Sequence, residues 1–261
     1  MGSPQWAVPS LQALVRSAAT HRAAVTGVFA QPDRRVGRHK ALQPCPVAAA
    51  AESLGVPVFK PEKLRSVEGE AALRALAPHL VVVCAYGHIL SQALLDLPKL
   101  GCFNLHFSLL PRWRGASPVQ SAILVGDATT GVSLQRMVAA LDAGPIAAES
   151  APEPIRTDDT SETLGERLAE VSAHLVEATL PALLSGRSVL KSQDPARITL
   201  CRTFRKEDGA IDWAQESPEA IERRVRAFTP WPGCHGFVGG KRLGLLRVAV
   251  ASQQEIAPLA V

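Results

Sequence analysis

Leu80-Val81-Val82-Val83-Cys84-Ala85 is an apolar run with no polar residue in it. Such a run is expected of a strand covered on both faces, the situation of a parallel sheet flanked by helices. Upstream, Ala23 to Ala30 (AAVTGVFA) is a short β-branched run that stops at the turn signal Gln31-Pro32-Asp33. Downstream, Cys102-Phe103-Asn104-Leu105-His106-Phe107 and Gly131-Val132-Ser133-Leu134-Gln135 read as a third and a fourth strand. Between them Ser117 and Pro118 make an N-cap and first-turn pair for a helix over roughly 118–126. The longest helix is expected over about 160–186, opening at Asp158-Asp159-Thr160-Ser161-Glu162, with Leu164, Leu168, Val171 and Leu175 at helical spacing. Pro181 is expected to kink or shorten it, with Gly186 as the latest stop. Alternation of this kind predicts an α/β fold.

The composition agrees with a packed domain. Of 261 residues, 47% are hydrophobic and 20% charged, which supplies a core and excludes disorder as the dominant state. Every apolar run is broken well short of bilayer-spanning length, and Met1-Gly2-Ser3-Pro4-Gln5-Trp6 lacks the basic and apolar regions of a secretory signal. Five cysteines with no C-x-x-C pair read as free thiols of a reducing, cytoplasmic or organellar, compartment. A net charge of +4 confines any nucleic-acid surface to a local patch. A polar stretch over 189–205 reads as a linker between residues 1–188 and a second module, 206–261. That module holds Ile211-Asp212-Trp213, a helix capped by Ser217-Pro218, the turn Thr229-Pro230-Trp231-Pro232-Gly233, and a strand candidate over 243–250.

No G-x-S-x-G elbow, P-loop or H-E-x-x-H helix occurs, and Cys84 and Cys102 sit in apolar strands as small hydrophobes. Chemistry-bearing residues concentrate at 101–118. Asn104 and His106 are two apart in a strand and share a face, at the end where open α/β sheets place their sites. An amide donates to a developing oxyanion and an imidazole changes protonation near neutral pH, although two satisfied polar groups at a strand end fit equally. Arg112-Trp113-Arg114 suits an anion, a nucleic-acid backbone or a solvated turn. Asp142, before Gly144-Pro145, is by itself a turn former, but with Asn104 and His106 it completes an amide, imidazole and carboxylate set. Basic residues cluster at Arg34, Arg35, Arg38 and Lys40, and again at Arg223, Arg224 and Arg226 with Lys241 and Arg242.

Asn104-Leu105-His106-Phe107-Ser108-Leu109-Leu110-Pro111 together with Leu141-Asp142-Ala143-Gly144-Pro145 resembles the folate-dependent formyltransferase family. Gln31-Pro32-Asp33-Arg34 through Pro46, Ala85-Tyr86-Gly87, Ile211-Asp212-Trp213 and Pro230-Trp231-Pro232 extend the resemblance over nearly the whole chain. It implies a Rossmann-like open sheet of mostly parallel strands followed by a partial, OB-like β-barrel. It further implies transfer of the formyl group of 10-formyltetrahydrofolate to the amine of methionine on initiator tRNA, by a metal-free, non-membrane, monomeric enzyme. Carried over by position, Asn104 and His106 stabilise the oxyanion, and Asp142 holds His106 and helps remove the amine proton. Ser108, Leu109, Leu110 and Pro111 line the folate site, largely through backbone groups. Arg34, Arg35, Arg38 and Lys40, with Arg223 and Arg224, face the tRNA, Arg38 foremost. The resemblance also implies a strand before Gly2-Ser3-Pro4 and a longer barrel after Val261, so a chain short at both ends is expected. Ser121 stands where these enzymes tend to carry Arg. The alternatives are a formyltransferase or hydrolase acting on a ribonucleotide or amino sugar, and an inactive tRNA-binding remnant.

Overall fold

The computed structural model describes residues 1–36 and 41–251. Along the chain run α1 (Val8–Thr20), β1 (Val28–Phe29), β2 (Arg34–Val36), β3 (Ala41–Gln43), α2 (Pro46–Ser53), β4 (Val58–Phe59), α3 (Val67–Ala75) and β5 (Val81–Val83). Next come α4 (Gln92–Leu95), β6 (Cys102–His106), β7 (Arg114–Gly115), α5 (Pro118–Val125), β8 (Thr129–Thr130), β9 (Ser133–Arg136) and β10 (Ile146–Glu149). The rest are β11 (Glu153–Pro154), α6 (Ser161–Leu184), β12 (Leu200–Cys201), α7 (Pro218–Ala227), β13 (Cys234–Val238) and β14 (Lys241–Leu245).

Strands β5 and β6 pair in parallel, and β9 and then β10 add antiparallel beyond β6. On the other side β1 and β4 pair in parallel. Met1 and Gly2 fill the space between these two units. Gly2 N–H donates to the Phe29 carbonyl at 3.1 Å, and Cys84 N–H donates to the Met1 carbonyl at 2.9 Å. The Met1 amino group donates to the Val82 carbonyl at 2.7 Å. The backbone order is therefore β4, β1, Met1–Gly2, β5, β6, β9, β10. Val81 and Val83 are buried and Val82 half-buried, as an apolar run covered on both faces requires.

Helices α1 and α6 pack along each other, with Ser10 Oγ and Ser172 Oγ sharing a buried hydrogen bond of 2.7 Å. Thr160 caps α6 in a reciprocal box with Thr163, and Leu164, Leu168 and Leu183 are buried. Each such leucine contributes about 1.5–3 kcal/mol. The expected break at Pro181 does not occur: the helix continues to Leu184. Pro181 is exposed and lies in the last turn, so its ring removes one hydrogen bond and leaves the rest of the helix intact. Ser117 precedes α5 as expected, but its side chain makes no capping bond.

Segment 189–205 is not a free connector. Lys191 and Ile146 exchange two backbone hydrogen bonds of 2.8 Å. Strand β12 pairs in parallel with β7, bringing Cys201 opposite Gly115. The second module consists of α7, packed on α5, and the hairpin β13–β14. Its strand runs over Lys241–Leu245 rather than 243–250, because Leu245 is already opposite Cys234, the first residue of β13, and pairing stops there. Phe204, Ile211, Ile221, Val225 and Phe228 belong to the same buried cluster as Leu105, Leu134 and Leu164, so one core runs through both parts. Among the described residues no helix is long and apolar enough to cross a membrane.

Candidate active site

Strand β6 alternates its side chains, sending Phe103 and Leu105 into the core and setting Asn104 and His106 on the other face. Register places Gln135 of β9 opposite Asn104, and Ser133 opposite His106. His106 is 5% exposed. Its Nε2 lies 2.8 Å from the Trp113 carbonyl, which only accepts, so Nε2 carries the hydrogen. Nδ1 then faces Asp142 Oδ2 at 3.7 Å, beyond hydrogen-bond length but within ion-pair reach.

Asp142 is held from every side. Oδ1 accepts from Gln135 Nε2 at 2.7 Å, and Oδ2 accepts from Gly115 N–H at 2.9 Å. Its backbone is left-handed, with φ +47°. Gln193 Nε2 donates to the carbonyls of Asp142 and Gly144 at 2.8 and 2.7 Å. Gly115 is required where it stands: a Cβ there would lie 2.0 Å from the Cys201 carbonyl. The Asn104 amide, half-buried, makes no hydrogen bond among the described residues. The structure thus brings Asn104, His106 and Asp142 to one place, as the sequence predicts.

Ser108–Pro111 forms a turn fixed from within. Ser133 Oγ accepts from Leu110 N–H at 2.9 Å and donates to the Ser108 carbonyl at 2.8 Å. Ser108 Oγ donates to the Arg112 carbonyl at 2.6 Å, and Arg112 N–H to the Leu109 carbonyl at 3.1 Å. The Leu110–Pro111 peptide is cis. Most of the backbone polarity expected to meet a ligand is thereby engaged internally.

Arg112 and Arg114 are likewise committed. Arg112 makes a bidentate pair with Asp127 and lies 4.5 Å above the Trp113 ring, whose Nε1 also donates to Asp127. The bond to Asp127 raises the Arg112 guanidinium further above its usual range. Arg114 donates Nε and Nη2 to Gln193 Oε1 at 2.9 and 2.8 Å. Burial pushes the Cys201 thiol up, and the nearby Asp142 charge adds to it. Tyr86 is buried at the strand end after β5, its hydroxyl without a partner among the described residues, and burial pushes that group up to about 12.

The basic residues divide. Arg34 and Arg35 lie on β2, which pairs antiparallel with β3, and beside it Asp33 pairs with Lys60 at 2.8 Å. Arg38 and Lys40 lie outside the described residues. Arg223 Nε donates to the Leu124 carbonyl at 3.2 Å. Arg224 pairs with Glu216 at 2.9 Å and donates to the Ala210 carbonyl at 3.1 Å. Arg226 pairs with Glu222 and bonds the Asp159 carbonyl at 3.0 Å. These guanidiniums stitch α7 to its surroundings, which is where their charge is spent.

Sequence reading missed Gln135, Gly115 and Gln193. For Gln135 a signal existed, since Ser133 and Gln135 are polar residues two apart in an otherwise apolar strand. For Gln193, 51 residues from Asp142, nothing local marks the contact.

Comparison with known proteins adds the lineage. A family described as formyl transferase matches residues 1–180, and its C-terminal domain matches residues 203–258. A methionyl-tRNA formyltransferase of Geobacter sulfurreducens is 43% identical over 253 residues, 97% of this chain and 78% of that protein. One of Pseudomonas putida is 44% identical over 245 residues, 94% and 77% of the two. Among solved structures, a sugar N-formyltransferase from a Shewanella species shares the fold, with a TM-score of 0.70 at 18% identity over 94% of each chain. An N-formyltransferase from Helicobacter canadensis, in complex with folinic acid and dTDP-3-aminofucose, gives a TM-score of 0.66 at 16% identity over 92% and 82%. Sequence matches spanning both parts, on a sheet that gathers Asn104, His106 and Asp142, show that the chain is an enzyme of the formyl transferase family.

Proposed function

We propose that this chain transfers the formyl group of 10-formyltetrahydrofolate to the α-amino group of methionine on initiator tRNA. The observation that carries the reading is the assembly of an Asn104 amide without a partner among the described residues, His106 and the doubly bonded Asp142 carboxylate at one sheet end, in a chain 43% identical to a methionyl-tRNA formyltransferase. An unengaged, half-buried amide donor fits a carbonyl-sized acceptor such as a formyl oxygen. The turn Ser108–Pro111, rigid through Ser133, gives the folate a preformed edge.

An amine is already a competent nucleophile, so no covalent enzyme intermediate is needed and positioning supplies much of the rate. The amine nitrogen attacks the formyl carbon, the oxygen gathers negative charge, and Asn104 donates to it. His106 joins by releasing the Trp113 carbonyl. That carbonyl also accepts from Cys201 Sγ at 3.4 Å and stays partnered when the imidazole turns. The attacking nitrogen becomes cationic, and Asp142 takes its proton, directly or through His106 Nδ1. With the N–C bond made on attack, the oxyanion collapses to the new amide, the bond to N10 of the folate breaks, and the proton taken from the amine ends on N10.

The tRNA contacts fall to Arg34 and Arg35 of β2 and to Arg38 and Lys40, which follow them in the sequence. Arg223 and Arg224 support them from α7 only with donors left over from packing. The test is formylation of Met-tRNA beside an amino-sugar nucleotide and a ribonucleotide amine. Product on Met-tRNA alone supports the reading, and product on another acceptor alone overturns it. No product, with salt-sensitive tRNA binding retained, marks a binding remnant.

A further inference from the structure

Gln193 lies in the segment that joins the two parts of the chain, yet all four of its side-chain hydrogen bonds end at the site. Nε2 bridges the carbonyls of Asp142 and Gly144, while Oε1 accepts both Arg114 bonds. These partners are the backbone carbonyls of one segment that fixes the Asp142 carboxylate and the Arg114 guanidinium, a side chain of another. One is the turn carrying Asp142 in a left-handed conformation; the other is β7, whose Gly115 N–H binds Oδ2. A left-handed non-glycine residue persists only where its surroundings hold it. The turn is already tight on its far side, where a Cβ on Gly144 would lie 1.7 Å from the Arg136 carbonyl. Gln193 Nε2 holds two of the carbonyls of this turn.

We propose that Gln193 is a positioning residue: it sets the Asp142 carboxylate by clamping the Asp142–Gly144 turn to β7. Two groups must meet at Asp142 within a fraction of an ångström, and misplacement by about 1 Å costs up to about 100-fold in rate. Gln193 thereby makes the connecting segment part of the site. The inference rests on the formyl-transfer reading of the same cluster.

Q193E and Q193M separate positioning from mere support. Q193M removes all four bonds. Q193E keeps an acceptor for Arg114 but turns an oxygen toward two carbonyls that can only accept. At low pH the new carboxyl, once protonated, donates one of the lost bonds again. Both variants are expected to lose about 10–100-fold in kcat, with KM for the folate donor unchanged within about twofold. The deficit of Q193E should shrink as pH falls, while that of Q193M stays constant. Gln193 is half-buried, so water can take up the two carbonyls and Q193E should melt only slightly below the parent chain; it serves even if Q193M loses structure. The proposal is overturned if Q193E keeps kcat within twofold, if KM rises in step with the loss, or if its deficit ignores pH. Ratios are read on whichever amine acceptor the parent chain formylates, so failure of Met-tRNA as acceptor refutes the proposed substrate and leaves the Gln193 comparison standing.

Discussion

Replacing Asp142 by Asn keeps the size of the side chain and removes one acceptor. Two donors now converge on two different oxygens, Gln135 Nε2 on Oδ1 at 2.7 Å and Gly115 N–H on Oδ2 at 2.9 Å. An amide offers one oxygen and one NH₂, so one of these donors faces another or, if the Gln135 amide flips, its own NH₂ takes the buried place where Oε1 now has no partner. A buried donor left unpaired costs about 1–3 kcal/mol. Gln135, 2% exposed, has no solvent to turn to. At about 2–4 °C per kcal/mol for a chain of this size, D142N should melt roughly 2–12 °C below the parent. Catalysis should suffer more. Loss of a general base costs about 10²–10⁴-fold, or about 3–5 kcal/mol of barrier. Thermal melting and single-turnover formylation of Met-tRNA at saturating donor measure the two effects. A drop in melting temperature with kcat within threefold of the parent would refute the catalytic role and leave Asp142 as a structural turn residue.

Other outcomes follow from the same geometry. G115A should lose about 3 kcal/mol of stability, since a Cβ 2.0 Å from the Cys201 carbonyl forces β7 from β12; an unchanged urea midpoint would contradict the close approach. Asp208, bonded first by Arg202 and then by the Arg205 N–H, titrates at about 2, below the ordinary carboxylate value near 4. Its contribution to stability is therefore complete above about pH 4 and lost as pH falls towards about 2. The gap in urea midpoint between the parent and D208N should close over that window, and a constant gap would count against the pair. Cys84 and Cys102 are buried, with thiols pushed up to about 12, so a disulfide reagent at pH 8 should reach them only after unfolding. Rapid labelling of either in the native protein would show that the sheet opens.

Local pattern carried a good deal of this protein. A short apolar run is expected of a strand covered on both faces, and a strand's period of two puts Asn104 and His106 on one face whatever surrounds them. Capping chemistry likewise placed the start of α6 at Thr160. These features depend on neighbours in the chain, so neighbouring residues report them. Pro181 shows the limit of that reading: its effect on a helix depends on how much helix remains beyond it, and here one turn remains.

Tertiary structure decided what those residues can do. Arg112, Arg114, Arg223 and Arg224 look alike as charges in the sequence, yet each is neutralised or hydrogen-bonded by a partner brought in by the fold. The stretch read as a linker is mostly exposed, yet it supplies β12 and the half-buried Gln193, whose hydrogen bonds reach the site from far along the chain. Asp142 reads as a turn former in isolation and becomes a fixed carboxylate only when Gln135, Gly115 and Gln193 arrive from three separate segments. The sequence by itself determined which chemical groups sit on which face of which strand, since that is a matter of backbone period. Only the folded chain decided their partners, since a hydrogen bond forms wherever close approach and burial bring donor to acceptor, regardless of separation along the chain.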